Sequence, residues 1–326
     1  MSKTKPVPPR QSSSSTATSG SGARVLTSSI SHAAAERSVL RDYIELTKPE
    51  ITLLVVLSAL GGFLLAPPAY FDWGRLIFLL MGVTLTAGGA SVLNHWYERD
   101  LDARMKRTMR RPLPSGRISP DRARNFGYAL VASGVALLCP LTNPLTGVMA
   151  LVAAMLYVLV YTPLKRRTSW NTLIGTVPGA LPALGGWTAA TGNFGWGGWT
   201  IFGILAAWQM PHFLSLAWMY KKDYERGGHM MLPYEDPSGR STVGQTLFFT
   251  LLMAAFSLIP LFLGLAGWFY TAVAIVLGAW FIWTSSAFYR TYSVRDARRV
   301  LKASVYYIPA LVLAIVLDRL VWLFVG

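Results

Sequence analysis

The sequence predicts an all-α, polytopic membrane protein with nine transmembrane helices around a central cavity. Of its 326 residues, 53% are apolar and only 14% are charged, whereas about 25% of the residues of a soluble domain are charged. The apolar residues form nine blocks of about 20, the length of helix that crosses a hydrocarbon core of ~30 Å. A transmembrane barrel would need short alternating strands, and that alternation is absent from the sequence. The blocks are roughly residues 47–66, 76–97, 122–141, 144–162, 172–191, 198–220, 243–264, 266–288 and 302–324.

The basic residues predict how these helices are oriented. The net charge is +15, and 28 of the 30 Lys and Arg residues fall on one side of the membrane if all nine blocks cross it. This is the positive-inside pattern, so nucleic acid is not needed to explain the charge. The N-terminus is therefore predicted inside and the C-terminus outside. Because the inner loops are long and charged, the active site is predicted to face the cytoplasm from a cell inner membrane, with the mitochondrial inner membrane as the alternative.

The chain is predicted to have a tail and one membrane domain. Residues 1–40 are rich in Ser, Thr, Pro and Gly and contain no apolar run, which is typical of a disordered cytoplasmic tail. An organellar transit peptide is the alternative, but Pro6, Pro8 and Pro9 would interrupt its amphipathic helix. Residues 41–326 are predicted to be embedded in the membrane. The single cysteine, Cys139, excludes an intramolecular disulfide.

The second block ends in a row of oxygen-bearing side chains. Asn94, Glu98 and Asp102 stand at positions i, i+4 and i+8 of the predicted helix, so they share one face over ~12 Å. Such a face suits Mg²⁺, which takes one or two carboxylates and leaves its other positions to phosphates and water. A solvated helix end with surface ion pairs is the alternative. The helical spacing and the basic segment that follows favour the metal site, and Asp100 points to another face.

The basic segment, residues 104–111, includes Arg107 and Arg111. Arginine forks pair well with diphosphate oxygens, although the positive-inside pattern alone would explain most of these side chains. The positive-inside pattern does not explain the whole string from Asn94 to Gly116, which has the form NxWxExDxDAxMxRTxxRPLPxG. This string resembles the protoheme IX farnesyltransferase (haem O synthase) branch of the membrane-bound, UbiA-type prenyltransferase superfamily. In the superfamily signature NxxxDxxxD, Glu98 takes the place of the middle Asp.

A second matching segment follows the fourth block. Tyr161, Lys165 and Arg166 are similar to the YxxxKR element of the superfamily. A basic loop by itself would be weak evidence, because inner loops are commonly basic. Its position after the acidic row strengthens the resemblance.

The sixth block and the loop after it supply two more matches, WQxPHF and KDYxxxxxxMLP. His212 belongs to the first, and a histidine within a span needs a polar partner. It is either hydrogen-bonded to a neighbouring helix or available to haem, and His95 and His229 are weaker candidates for haem. Most superfamily members have a second DxxxD motif in the loop. Here Asp223 is followed four residues later by Gly227, so the composition of a second metal site is left open.

The resemblance implies a prenyltransferase that uses farnesyl diphosphate, haem b and Mg²⁺ within the lipid bilayer. Its product would be haem O, which a downstream haem A synthase would take up. The implied Mg²⁺ ligands, which are also catalytic residues, are Asn94, Glu98, Asp102 and Asp223. The implied diphosphate-binding residues are Arg107, Arg111, Lys165 and Arg166. Tyr161 would act near the departing oxygen, and His212 would bind haem.

Two other functions fit parts of the sequence. Within the superfamily, the acceptor could be a quinone precursor or a chlorophyllide, but the long match to the haem branch favours haem. A transporter would place polar residues near the middle of the membrane and in both halves of the chain. Here the polar residues gather at the inner ends of the blocks, which favours the enzyme.

Overall fold

The computed structural model describes residues 39–325, and every regular element among them is helical. The prediction of an all-α protein is thereby confirmed. The predicted tail, residues 1–40, lies outside the described residues except for its last two positions. In chain order the helices are α1 (Val39–Leu46), α2 (Pro49–Leu65), α3 (Trp73–Asp102), α4 (Pro120–Leu141), α5 (Pro144–Leu164), α6 (Asn171–Thr191), α7 (Trp196–Met219), α8 (Lys221–Arg226), α9 (Leu232–Glu235), α10 (Arg240–Phe262), α11 (Trp268–Thr291) and α12 (Val294–Val325).

Several of these helices have the length and composition of membrane spans. In the part of the chain that the structure describes, seven qualify, namely α3, α4, α5, α7, α10, α11 and α12. An eighth results if α1 and α2, which meet at a bend of 47°, are counted as one. The fifth predicted block forms α6, a helix of 21 residues that contains Pro178 and Pro182 and is not among the seven. The described residues therefore contain seven or eight candidate spans, as expected of a multi-pass membrane protein.

Glycines let α2 and α6 pack with their backbones close together. A Cβ atom on Gly62 would lie 1.9 Å from the carbonyl oxygen of Ala183, and one on Gly186 would lie 1.9 Å from that of Ala59. Such crossings are typical of membrane helices, which associate through close packing because lipid tails are as apolar as the helices themselves. Both helices line a central cavity.

The second half of the chain packs around a core shared by α7, α10, α11 and α12. Large side chains in this core are fully buried, including Tyr270, Phe281, Phe288 and Tyr307. The hydroxyl of Tyr307 donates to the Oγ of Ser257 at 2.9 Å, which supplies the partner that a buried polar group requires. This core fixes α12 against α7, the helix that carries His212.

Helix α3 carries the predicted acidic row on its last two turns. It begins after Asp72, whose carboxylate accepts a hydrogen bond from the backbone N–H of Arg75 at 2.8 Å and so caps the helix. Its 30 residues make it about 45 Å long, more than the ~30 Å hydrocarbon core needs. The extra length lets the end of α3, with Glu98 and Asp102, extend toward the polar boundary of the membrane.

Candidate active site

The structure contains a cavity of about 360 Å³ that is enclosed mainly by α2, α3, α5, α6 and α7. One end is polar and lies where α3 and α5 finish and the loops after them begin. The rest is walled by small and apolar side chains, such as Val83, Ala90, Met149, Ala153 and Pro182. A cavity with this division can hold a molecule that is charged at one end and apolar along its length.

The three predicted ligands on α3 lie together on the wall of the cavity. Asn94, Glu98 and Asp102 all line it, and all three are buried. The side-chain amide of Asn94 donates to Oε2 of Glu98 at 3.0 Å. Asp100, which the spacing assigned to another face, is exposed and pairs with Arg99 at 3.7 Å. The helical periodicity therefore predicted the shared face.

Each buried carboxylate on α3 is paired with a cation from another segment. The Nζ of Lys165 lies 3.0 and 3.2 Å from the two carboxylate oxygens of Glu98. The Nη1 of Arg111 lies 2.8 Å from Oδ2 of Asp102. Burial acts to lower the pKa of Lys165, but the neighbouring carboxylate of Glu98 outweighs it and holds that pKa above its ordinary value. The lysine is therefore charged at neutral pH.

The polar end as a whole is positive. Within residues 39–325, four cationic side chains and two carboxylates line the cavity. The guanidinium of Arg107 lies over the rings of Tyr220 and Tyr224, 5.6 and 5.7 Å from their centroids. Arg107 is exposed and the other three cations are half-buried. Because cations gathered at one end of a cavity attract anions and can pair with them through several donors, this end suits a ligand with several negative charges. The four cations are Lys48, Arg107, Arg111 and Lys165.

A π-helical stretch in α5, Leu156–Tyr161, contributes two tyrosines to the cavity wall. Such stretches are frequent at functional sites, because the extra residue redirects side chains. Tyr157 and Tyr161 both line the cavity, and the ring of Tyr161 lies 4.6 Å from the Nζ of Lys165. Gly175 on α6 leaves room for that ring, since a Cβ there would lie 2.5 Å from it. Tyr161 is thus next to the cation that holds Glu98.

Two predicted residues do not line the cavity. Arg166 is exposed, although its neighbour Lys165 is inside. Asp223 is half-buried on the short helix α8, and its Oδ1 accepts a hydrogen bond from the backbone N–H of Lys106 at 3.3 Å. Among residues 39–325, no group of three or more His, Cys, Asp or Glu side chains is arranged to hold a metal ion. A metal here would depend on the two carboxylates of α3 together with oxygens from the substrate.

The donor atoms on α3 nevertheless fit Mg²⁺. They are two carboxylates and one amide oxygen, which are the hard oxygen ligands that this ion prefers. Oδ2 of Asp102 is bonded to Arg111, whereas no hydrogen bond to Oδ1 occurs within the described residues. Mg²⁺ usually takes only one or two protein carboxylates and completes its shell with phosphates and water. Glu98 and Asp102 meet that requirement.

Two of the three candidate histidines also line the cavity. His212, on α7, reaches it and bonds through Nδ1 to the Oγ of Ser304 at 2.8 Å. His229, in the loop between α8 and α9, is buried at the polar end. Burial lowers the pKa of His229, so its imidazole is neutral at pH 7. His95 is buried but does not line the cavity.

Lys48 was not predicted from the sequence, yet it belongs to the site. Its Nζ donates to Oδ1 of Asn94 at 2.6 Å, and the residue lines the cavity. Its backbone is left-handed, with φ 49° and ψ 65°, a conformation that is uncommon for a residue other than glycine and is concentrated at functional sites. The feature of the sequence that could have identified Lys48 is its position at the start of the first apolar block, directly before Pro49.

Known proteins resemble this chain in sequence. The profile of the UbiA prenyltransferase family matches residues 55–316. A protoheme IX farnesyltransferase from Salinibacter ruber is 55% identical over 280 residues, which cover 86% of this chain and 99% of that protein. A protoheme IX farnesyltransferase from Solibacter usitatus is 41% identical over 289 residues, with coverage of 86% and 99%.

Solved structures show the same fold at lower identity. A digeranylgeranylglyceryl phosphate synthase superposes with a TM-score of 0.72 at 18% identity, covering 86% of this chain and 98% of that one. A UbiA homologue from Archaeoglobus fulgidus, bound to GPP and Mg²⁺, superposes with a TM-score of 0.61 at 14% identity, covering 84% and 99%. From its sequence match over most of its length and from its fold, the chain belongs to the UbiA prenyltransferase family and, within it, to the protoheme IX farnesyltransferases.

Proposed function

We propose that this protein transfers the farnesyl group of farnesyl diphosphate to a vinyl group of haem b, with addition of water, to give haem O. The observation that carries the proposal is a cavity with four cations and two carboxylates at one end and apolar walls beyond them. Farnesyl diphosphate has the same division into a polyanion and a hydrocarbon chain. The acceptor follows from the protoheme IX farnesyltransferases that this chain resembles at 55% and 41% identity. The product would serve a downstream haem A synthase and, through it, haem–copper oxidases.

In this proposal Glu98 and Asp102 hold Mg²⁺, with the amide oxygen of Asn94 as a third ligand. Bound Mg²⁺ would supply positive charge that offsets the diphosphate. A UbiA homologue from Archaeoglobus fulgidus binds GPP and Mg²⁺ together, which supports the assignment. Asp223 is proposed as a ligand from the other side. Its partner, Lys106, lies between two cavity-lining residues, Met105 and Arg107, so α8 stands at the edge of the polar end.

The diphosphate is proposed to bind Arg107, Arg111 and Lys165. Arg111 and Lys165 now pair with the carboxylates of α3, and each has donors to share with a second anion. Lys48 joins them, because it lines the same end of the cavity. Arg166 is proposed as an outer contact, since it follows Lys165 directly but is exposed to solvent.

The reaction needs these charges most when the allylic C–O bond breaks. The bonding electrons leave with the diphosphate oxygen, where negative charge grows, and the fixed cations stabilise it. Tyr161, beside Lys165, is suited to donate a hydrogen bond near that oxygen. The allylic carbon then forms a bond to the haem vinyl group. The resulting cation, conjugated with the pyrrole, takes up water and releases a proton, which leaves a hydroxyethylfarnesyl side chain.

The decisive test uses purified protein in membranes with haem b, farnesyl diphosphate and Mg²⁺. Mass spectrometry of the extracted haems should detect an added farnesyl group and one added hydroxyl group. Glu98→Gln protein serves as the matched control and should give little product. Prenylation of a quinone precursor or a chlorophyllide, with haem b left unchanged, would contradict the proposal.

We also propose that the chain spans the membrane nine times, with α2 and α6 as spans in addition to the seven candidates. In this proposal the N-terminus and the site lie on the cytoplasmic face. The proposed location is a cell inner membrane. The test uses single cysteines in a Cys139→Ser background. Arg104→Cys and Arg240→Cys should be labelled from one side of oriented vesicles and Asn193→Cys, in the α6–α7 turn, from the other; all three are exposed. Labelling of all three from one side would contradict a spanning α6.

A further inference from the structure

We infer that Ser304, on α12, is a positioning residue that sets the tautomer and orientation of His212 for an iron porphyrin in the cavity. The inference rests on the proposed function, because it takes haem b to be the acceptor. Ser304 lies far from His212 in the sequence, outside every motif that resembles the family, and it is fully buried.

The hydrogen bonds of Ser304 fix which nitrogen of His212 carries the proton. Its Oγ lies 2.7 Å from the carbonyl oxygen of Leu301 and 2.8 Å from Nδ1 of His212. A carbonyl oxygen only accepts, and a hydroxyl has one hydrogen to give. The hydroxyl therefore donates to Leu301 and accepts from the Nδ1–H of His212. The lone pair of this neutral imidazole is consequently on Nε2.

The same serine holds a second ring through its backbone. The indole Nε1–H of Trp208 donates to the carbonyl oxygen of Ser304 at 2.8 Å. Trp208 and His212 are one helical turn apart on α7, and their rings stack with centroids 5.2 Å apart at an interplanar angle of 29°. Ser304 thus holds the edge of the His212 imidazole through its hydroxyl group. Through its carbonyl oxygen it also fixes the Trp208 ring that stacks on the face of that imidazole.

This arrangement presents Nε2 as a ligand atom. His212 lines the cavity, and within residues 39–325 no hydrogen bond to Nε2 occurs. A histidine that binds a metal through one nitrogen normally donates its other ring N–H to a neighbouring acceptor, which fixes the ring and raises its basicity. Haem iron is commonly held by such a histidine. Ser304 supplies that acceptor here.

The experiment titrates haem b into purified protein and records the optical spectrum and the iron–histidine stretching band by resonance Raman. The variants are His212→Ala, Ser304→Ala, Ser304→Thr, which retains a hydroxyl, and Ser285→Ala. Ser285 is the matched control, because it is also fully buried and hydrogen-bonded, to Thr250 at 3.0 Å, but does not line the cavity.

We expect His212→Ala to lose the band and Ser304→Ala to bind haem about 10- to 100-fold more weakly, with the band at lower frequency. Ser304→Thr and Ser285→Ala should match the wild type, and farnesyl diphosphate affinity should change in none of the four. A wild-type band in Ser304→Ala, together with its loss in His212→Ala, would overturn the role of Ser304 alone. An unchanged band in His212→Ala would overturn the ligand assignment and this inference together. Absence of haem farnesylation by the wild type would instead overturn the proposed function.

Discussion

Two segments carry the carboxylates predicted to bind metal, the end of α3 and the short helix α8, and the fold holds them differently. On α3, Glu98 and Asp102 are buried in the cavity wall, each within 3.0 Å of a cation. On α8, Asp223 is half-buried, and its carboxylate accepts a hydrogen bond from the backbone N–H of Lys106 at 3.3 Å. α3 is a 30-residue helix packed against α4, whereas α8 has six residues, none of them buried. The long helix therefore fixes its carboxylates in the cavity wall, whereas α8 holds Asp223 outside that wall.

The largest effect should come from removing a charge on α3. Glu98→Gln and Asp102→Asn keep the shape of the side chain but remove a carboxylate that we propose as a Mg²⁺ ligand. We expect turnover to fall by about 10²-fold or more, because fixed charge is lost where the transition state needs it. The measurement is the rate of haem O formation in protein of normal expression. Asp100→Asn, on the exposed face, is the control; near wild-type rates in both α3 variants would refute the site.

A smaller loss of activity is expected at Lys165, and it should be larger than the loss at the adjacent cation, Arg166. Lys165→Met removes the partner of Glu98 and a proposed diphosphate contact, and we expect a loss of about 10- to 100-fold in kcat/KM. Arg166→Met changes an exposed side chain, so its effect should stay within about threefold. Steady-state kinetics with varied farnesyl diphosphate would measure both. Equal losses in the two variants would mean that Arg166 turns inward when substrate binds.

On α8, Asp223→Asn should reduce turnover by about 10-fold or less, since this carboxylate is not buried in the cavity wall. Glu225→Gln, two residues away and exposed, is the matched control and should behave as the wild type. The same haem O assay, repeated over a range of Mg²⁺ concentrations, gives the comparison. A loss as large as that of Asp102→Asn would show that α8 closes on the substrate and would remove the distinction drawn between the two segments.

The smallest effect on turnover should come from Asp236, a carboxylate that does not line the cavity and caps α10. Its Oδ2 accepts from the backbone N–H and the hydroxyl of Thr242 at 2.8 and 3.0 Å. Burial acts to raise the pKa of this carboxyl, but these hydrogen bonds and one from Ser238 outweigh it and hold the pKa below its usual value. Asp236→Asn should destabilise the fold by about 1 kcal/mol at neutral pH and leave kcat unchanged.

The lowered pKa also gives the sign of the pH dependence. The stabilisation by Asp236 is present above the ordinary aspartate pKa and is lost as the pH falls through the lower folded-state value. The difference in thermal midpoint between Asp236→Asn and the wild type in detergent should therefore shrink at acidic pH. Glu235→Gln, exposed and adjacent, is the control. A difference that grows on acidification would contradict the capping role.

The sequence alone determined the features that depend on residues close together in the chain, namely the positions of the spans and the side chains that share a helix face. The blocks predicted at 122–141 and 198–220 appear as Pro120–Leu141 and Trp196–Met219, because the lipid phase demands about 20 apolar residues in a hydrogen-bonded helix. The shared face of Asn94, Glu98 and Asp102 is also local, since helical periodicity fixes it.

Only the tertiary structure decided which residues from distant parts of the chain meet at the cavity. Lys48 reaches Asn94 from 46 residues away, and Ser304 reaches His212 from 92 residues away. Lys165 points into the cavity while Arg166 does not, a distinction between neighbours that a basic loop sequence does not contain. Periodicity specifies the direction of a side chain relative to its own helix, but the partner it meets depends on how the helices pack, and here that packing depends on glycine contacts such as those between α2 and α6.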